Sequence, residues 1–348
     1  MLFANRPPCE GVVDLTLKDS DGTGGSGTWI DWHPSSNYFA VGTAITDEQL
    51  KVYSFDGTTL TEAENVAVGN SCYGLNWHPN GNFLAVTNLD GHDVKVYSWN
   101  GTDTLAEVET VDLGYDTRGV AWHPDGDFLA VMAQGGTKDL TVFSWNGSDT
   151  LTEVETVDLT AANPLNWSHD GNYLLVGASI ANEQIRVYSW NGSDTLALVD
   201  TYDIGGDYEI AVVWSLSDDY VFVAGANDTK TFVVLSFNGT ALAEISYQTL
   251  GAGAVANCSL SRGGNYVYVA RTGTGANEDW VRCYHWNETA ETLTLKDSIT
   301  FNGDGVTGNG SSYQNNYFAY CRFSPGAGVV VNAATTGLIM STRDYCIT

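Results

Sequence analysis

Among the side chains of this 348-residue sequence, six histidines are the best suited to metal or acid–base chemistry. His33, His78 and His123 each sit in a Trp-His-Pro tripeptide and recur every 45 residues. One position per repeat places them on separate units, too far apart to share an ion, so a structural role in the Pro turn is expected. His92, His169 and His285 have no partner at ligand spacing, and no HExxH pattern accompanies them. The carboxylate pairs Glu107/Glu109 and Glu153/Glu155 could form acid–base couples, but they too are repeated. Charge along an outermost strand discourages pairing between molecules, and that role is expected of them. A serine nucleophile needs a strained turn and a nearby histidine. The nearest string, Gly24-Gly25-Ser26-Gly27, reads as a flexible lead into Trp29. The six cysteines contain no CxxC pair. No catalytic set, metal site or cofactor follows from these residues.

Composition bounds the partners. The net charge is −28, from 42 acidic residues against only 14 Lys and Arg. Charged residues make up 16%, where about 25% is usual, so Thr, Ser, Asn and Gly must build much of the surface. Such a surface repels a phosphate backbone and excludes nucleic acid as the expected partner. The N-terminal MLFANRPPCEGVV lacks a basic stretch followed by an apolar one, so no secretion signal is read there. No apolar run approaches the ~20 residues of a membrane span. A cytoplasmic or virus-particle location is the expectation.

Stepping along the chain, the histidines belong to a longer repeat. WIDWHPSSNYFAV at 29–41, LNWHPNGNFLAV at 75–86, VAWHPDGDFLAV at 120–131 and LNWSHDGNYLLV at 165–176 align on Trp32, Trp77, Trp122 and Trp167. Weaker copies centre on Trp214, Cys258 and Phe323, making seven. A second element, VYSWNG or a variant, follows each strong copy, and its Asn-Gly is a hairpin signal. A short apolar run, a turn, an FLAV-type run, a Gly/Asn/Asp loop, a third run, Asn-Gly and an acidic fourth run make four strands per unit. No helical period appears. Seven such units predict an all-β, seven-bladed β-propeller of four-stranded antiparallel blades.

These elements resemble those of WD-repeat propellers and of their relatives with an SPDG turn. The Gly-His before the first strand is absent and the Trp ending the third strand is not reliably followed by Asp. Packing of large aromatics between blades is therefore expected in place of that family's hydrogen-bond network. VYSFDGTTLTE at 52–62 is also similar to repeats of phosphogluconolactonase-type lactonases.

The single domain, 1–348, divides into blades at 28–69, 71–114, 117–160, 161–205, 208–251 and 253–303. An insertion at 304–318 and a last blade at 319–348 follow. That last unit has only three strands, and VVDLTLKDS resembles TLTLKDS at 292–298, so residues 10–20 are expected to supply its outer strand and close the ring. The same counting brings Cys9 and Cys346 near one point, where a disulfide requires Cα atoms within about 7 Å. It also sets Asp31 against Arg322 at the seam.

Function is expected in the loops. By analogy with WD-repeat propellers, the loops entering the first strands share one face with those between second and third strands. The former carry Tyr73, Tyr115, Asp116, Arg118, Tyr208, Glu209 and Tyr313, and the latter a scatter of acids including Asp139 and Glu183. Tyrosines among acids suit a protein partner or carbohydrate stacking. The expectation is a non-catalytic scaffold or assembly component, for instance on a virus particle. The alternatives are a carbohydrate-binding propeller and a lactonase-like hydrolase. The resemblance to lactonases implies Arg and His in the channel, yet the arginines here share no repeat position.

Overall fold

A computed structural model describes residues 27–299 apart from 36, 44–48, 57–58, 70, 89–90, 160–161, 179, 181, 206–209, 226–229, 251–254, 262 and 272–280. It also describes the backbone of 16–19, 321–324, 328–333 and 336–341. Blade two shows the plan: Cys72–Trp77, Phe83–Asn88, Asp93–Trp99 and Leu105–Asp112 pair in order as an antiparallel meander. Blades one to six repeat it, so the chain is an all-β propeller of four-stranded antiparallel blades. A further four-stranded sheet takes Thr16–Asp19 beside Thr336–Ser341, then Gly328–Ala333, then Cys321–Ser324.

The sequence pattern explains the layers. Second strands such as Phe83–Asn88 are covered on both faces, and their near-continuous apolar run is buried. Outer strands such as Leu105–Asp112 alternate toward solvent, which is where the acids lie. Each outer strand bulges at one equivalent place, opposite Val96/Tyr97 in blade two and Val142/Phe143 in blade three. A bulge twists the exposed edge and discourages a further strand from pairing there.

The first turns of blades two, three and four need a left-handed residue. Gly81, Gly126 and Gly171 supply it with φ between 76° and 85°. In blade six, Ser261 N bonds Tyr266 O as Ser215 N bonds Tyr220 O in blade five. That register puts Leu260, not Cys258, at the anchor position; the sequence alignment was two residues out because Ser-Arg-Gly-Gly replaces the Pro turn. Cys258 is instead buried between blades, near the carbonyls of Ala211 and Phe222.

Neighbouring blades are joined at three radii. Innermost, Asp31 Oδ2 accepts from Asn76 Nδ2 (2.8 Å) and Trp77 N (2.9 Å), and Asn76 Oδ1 accepts from Trp122 N (2.8 Å). At the first turn, His33, His78 and His123 donate from Nε2 to the carbonyls of Gly81, Gly126 and Gly171 at 2.8–2.9 Å. Each imidazole also stands edge-on to the next blade's Trp77, Trp122 or Trp167 at 4.7–4.8 Å. At the rim, Glu64, Glu109, Glu155 and Asp200 accept from the amides that open the next outer strand, at Leu105, Leu151, Leu196 and Leu242.

The expected aromatic packing between blades is present. Tyr38, Phe83 and Phe128 lie edge-on to Trp99, Trp145 and Trp190 of the following blade at 5.2–5.5 Å. The carboxylate pairs do more than charge an edge: Glu109 and Glu155 tie blades together, while Glu107 and Glu153 take Lys95 and Lys138 as partners.

Candidate functional site

The inner strands run from one mouth of a central channel to the other, and the two mouths carry different chemistry. At the entry mouth, Arg118 lies with its guanidinium carbon 5.9 Å from the ring centroid of Tyr73, across the junction of blades two and three. Tyr73 is buried beneath it, while Tyr115 is 39% exposed and packs over Gly136. His92 Nδ1 approaches Asp116 Oδ1 at 3.3 Å. The structure thus brings Tyr73, Arg118, Tyr115 and Asp116 to one stretch of this face. Tyr208, Glu209, Tyr313, the side chain of Arg322, Cys9 and Cys346 lie outside the described residues.

Two of the loop acids have work inside the fold. Asp139 is buried and accepts from Leu159 N at 2.9 Å, closing blade three, as Gln49 and Gln184 do at Val68 and Ile204. Glu183 pairs with Arg186. Their counterparts are strand caps, and nothing in single-sequence spacing separates a cap from a surface acid.

At the opposite mouth the first turns surround a cavity of about 360 Å³. It is lined from blades one, four, five and six, by Trp29, Trp32, Asn166, His169, Leu216 and Asn257 among others. His169 Nδ1 lies 2.9 Å from Asp218 Oδ1. The same carboxylate accepts from the backbone amides of His169 (2.9 Å) and Asp170 (3.0 Å), which hold it in place. Sequence spacing missed this pair because its members are 49 residues apart on adjacent blades. The visible signal was a broken repeat: Ser168 where blades one to three carry His, and Asp218 where blades two, three, four and six carry Gly. No group of three or more metal-ligating side chains occurs among the described residues.

Residues 76–243 match the family model of the seven-bladed β-propeller lactonases, and residues 30–113 match the WD40 domain of anaphase-promoting complex subunit 4. The chain thus resembles both WD-repeat propellers and lactonase-type propellers. No curated protein matches it. Among solved structures, the β-propeller domain of Myceliophteria thermophila Cps50 (Swd1) is similar at 12% identity, with 94% of this chain and 99% of that one covered and a TM-score of 0.67. The periplasmic gluconolactonase PpgL of Pseudomonas aeruginosa is similar at 17% identity over 79% of this chain and 85% of that one, TM-score 0.64. A putative 6-phosphogluconolactonase from Bacteroides uniformis gives 15%, 79%, 85% and 0.65. At these identities the likeness is one of fold.

Proposed function

We propose that this protein is an interaction propeller, a scaffold or assembly component whose protein partner docks on the entry face of blades two and three. The observation that carries the reading is Arg118 seated on Tyr73 with Tyr115 exposed beside it. Aromatic and Arg side chains held rigid on a scaffold are the usual anchors of a protein interface. The WD40 resemblance supports the same reading. Tyr208, Glu209 and Tyr313 extend the proposed surface around the ring, and a virus particle is one assembly that would use it.

The ring itself is proposed to have seven blades with the boundaries given above, closed by the N-terminal strand. Supporting this, the backbone of Cys321–Ser324 lies beside the inner strands Gly27–Trp32 and Val255–Leu260. Native mass spectrometry of protein isolated from its source tests the docking proposal. A stoichiometric partner is expected with the unaltered chain and is lost in the Tyr115→Ala/Arg118→Ala double variant. A monomer throughout sinks it.

A lactonase-like hydrolase is the second reading, favoured by the family match over 76–243. Turnover of a lactone panel would support it; its absence with folded protein would remove it.

A further inference from the structure

We infer that the cavity at the first-turn mouth binds a neutral polyhydroxy ligand of monosaccharide size, with His169 Nε2 as its anchoring hydrogen-bond acceptor. This seat lies on the face opposite the proposed docking surface and does not depend on it.

His33 uses Nε2 on Gly81 and Nδ1 on Ser35; His78 uses Gly126 and Asn80; His123 uses Gly171 and Asp125. All six ring nitrogens are engaged within the protein. Blade four departs from this. Ser168 takes the latch position and bonds only locally, to Asp170 and to Tyr173 N. His169, one residue on, has a side chain 45% exposed and lines the cavity.

Its tautomer follows from its partner. A carboxylate only accepts, so Nδ1 carries the proton that faces Asp218 and Nε2 of the neutral ring is left as an acceptor. No described protein group meets that nitrogen.

Asp218 occupies φ 60°, where the equivalent residues Gly81, Gly126, Gly171 and Gly264 need no side chain. A non-glycine residue there carries backbone strain, and such residues persist where something else is gained. What Asp218 does with its side chain is orient His169. The apolar wall comes from Trp29, Trp32 and Leu216, which is 44% exposed, and amide groups come from Asn166 and Asn257. Apolar surface with a few convergent polar groups and a volume within roughly 300–1,000 Å³ describes a small-molecule site. Asp218 and Asp170 stand beside the His169 anchor, which disfavours carboxylated and phosphorylated ligands there.

Isothermal titration calorimetry of the full chain tests this with D-glucose, D-galactose, D-mannose and myo-inositol, and with D-gluconate as the anionic control. Trp fluorescence gives a second readout because Trp29, Trp32 and Trp214 line the cavity. At least one neutral probe is expected to bind with Kd of about 5 mM or tighter, and His169→Leu to weaken it by about tenfold or more. Asp218→Gly restores the residue that blades two, three, four and six carry, so it is expected to keep or raise the melting temperature while weakening the same probe. The inference is overturned if no neutral probe binds at about 50 mM, ten times that Kd. Unchanged binding by folded His169→Leu, or tighter binding of gluconate than of every neutral probe, also overturns it.

Discussion

Replacing Gly126 with alanine and, in a separate variant, Gly147 with alanine isolates the contribution of one inter-blade latch. Both glycines have φ 85°, so both substitutions force a β-carbon into the left-handed region, at a cost of about 1–2 kcal/mol. Around Gly147 nothing lies within 4 Å of the added carbon, so that strain is the whole effect. At Gly126 the added carbon would stand 2.4 Å from His78 Cε1 and 2.5 Å from Nε2. The imidazole must leave. It then gives up the 2.9 Å bond to the Gly126 carbonyl, at about 1–3 kcal/mol for a buried group left unpaired. It also loses the edge-on contact with Trp122, worth about 0.5–1.5 kcal/mol. Gly126→Ala should therefore cost about 2–4 kcal/mol more than Gly147→Ala, which at roughly 2 °C per kcal/mol is about 4–8 °C in Tm by calorimetry. With His78→Ala already in place, Gly126→Ala should fall back to the Gly147→Ala value. Equal effects of the two glycine variants in the unaltered chain would refute the latch.

Three further outcomes are expected. Burial holds the His33 and His78 rings below their ordinary 6.5, against the hydrogen bonds to Gly81 and Gly126 that pull the other way. The unfolded chain takes up those protons first as pH falls through about 6.5, so stability declines there. A Tm profile between about pH 7.5 and 5 should flatten in His78→Asn; an unaltered slope would remove His78 from the account. At the rim, Glu155 Oε2 accepts from Leu196 N at 3.1 Å. Its Oε1 accepts from Thr156 N at 2.8 Å, so Glu155→Gln keeps one acceptor of the two and should lose less than Glu155→Ala, which should lower stability by about 1 kcal/mol in urea unfolding; equal losses would contradict the assignment. Asn146 Oδ1 accepts from the amides of Ser148, Asp149 and Thr150 and from the Ser148 hydroxyl, so Asn146→Ala should cost about 1–2 kcal/mol, with no loss if the turn is set by Gly147 alone.

Sequence alone determined what is local or periodic. The 45-residue spacing of Trp32, Trp77, Trp122 and Trp167, the Asn-Gly hairpins and the glycines of the first turns specify four-stranded blades, because alternation and positive φ depend on a few adjacent residues. It also excluded the His33, His78 and His123 set as a metal site, since one repeat position cannot converge. Only the tertiary structure decided what each repeated side chain reaches. The rim acids proved to bridge blades at Leu151 and Leu196, Asp139 proved to be a strand cap, and Leu260 took the anchor assigned to Cys258. The same holds for His169: its neighbour in function, Asp218, is 49 residues away and meets it only because adjacent blades lay their turns side by side. Partners across a blade junction are fixed by the ring's radius and register, and neither quantity is carried by any short stretch of chain.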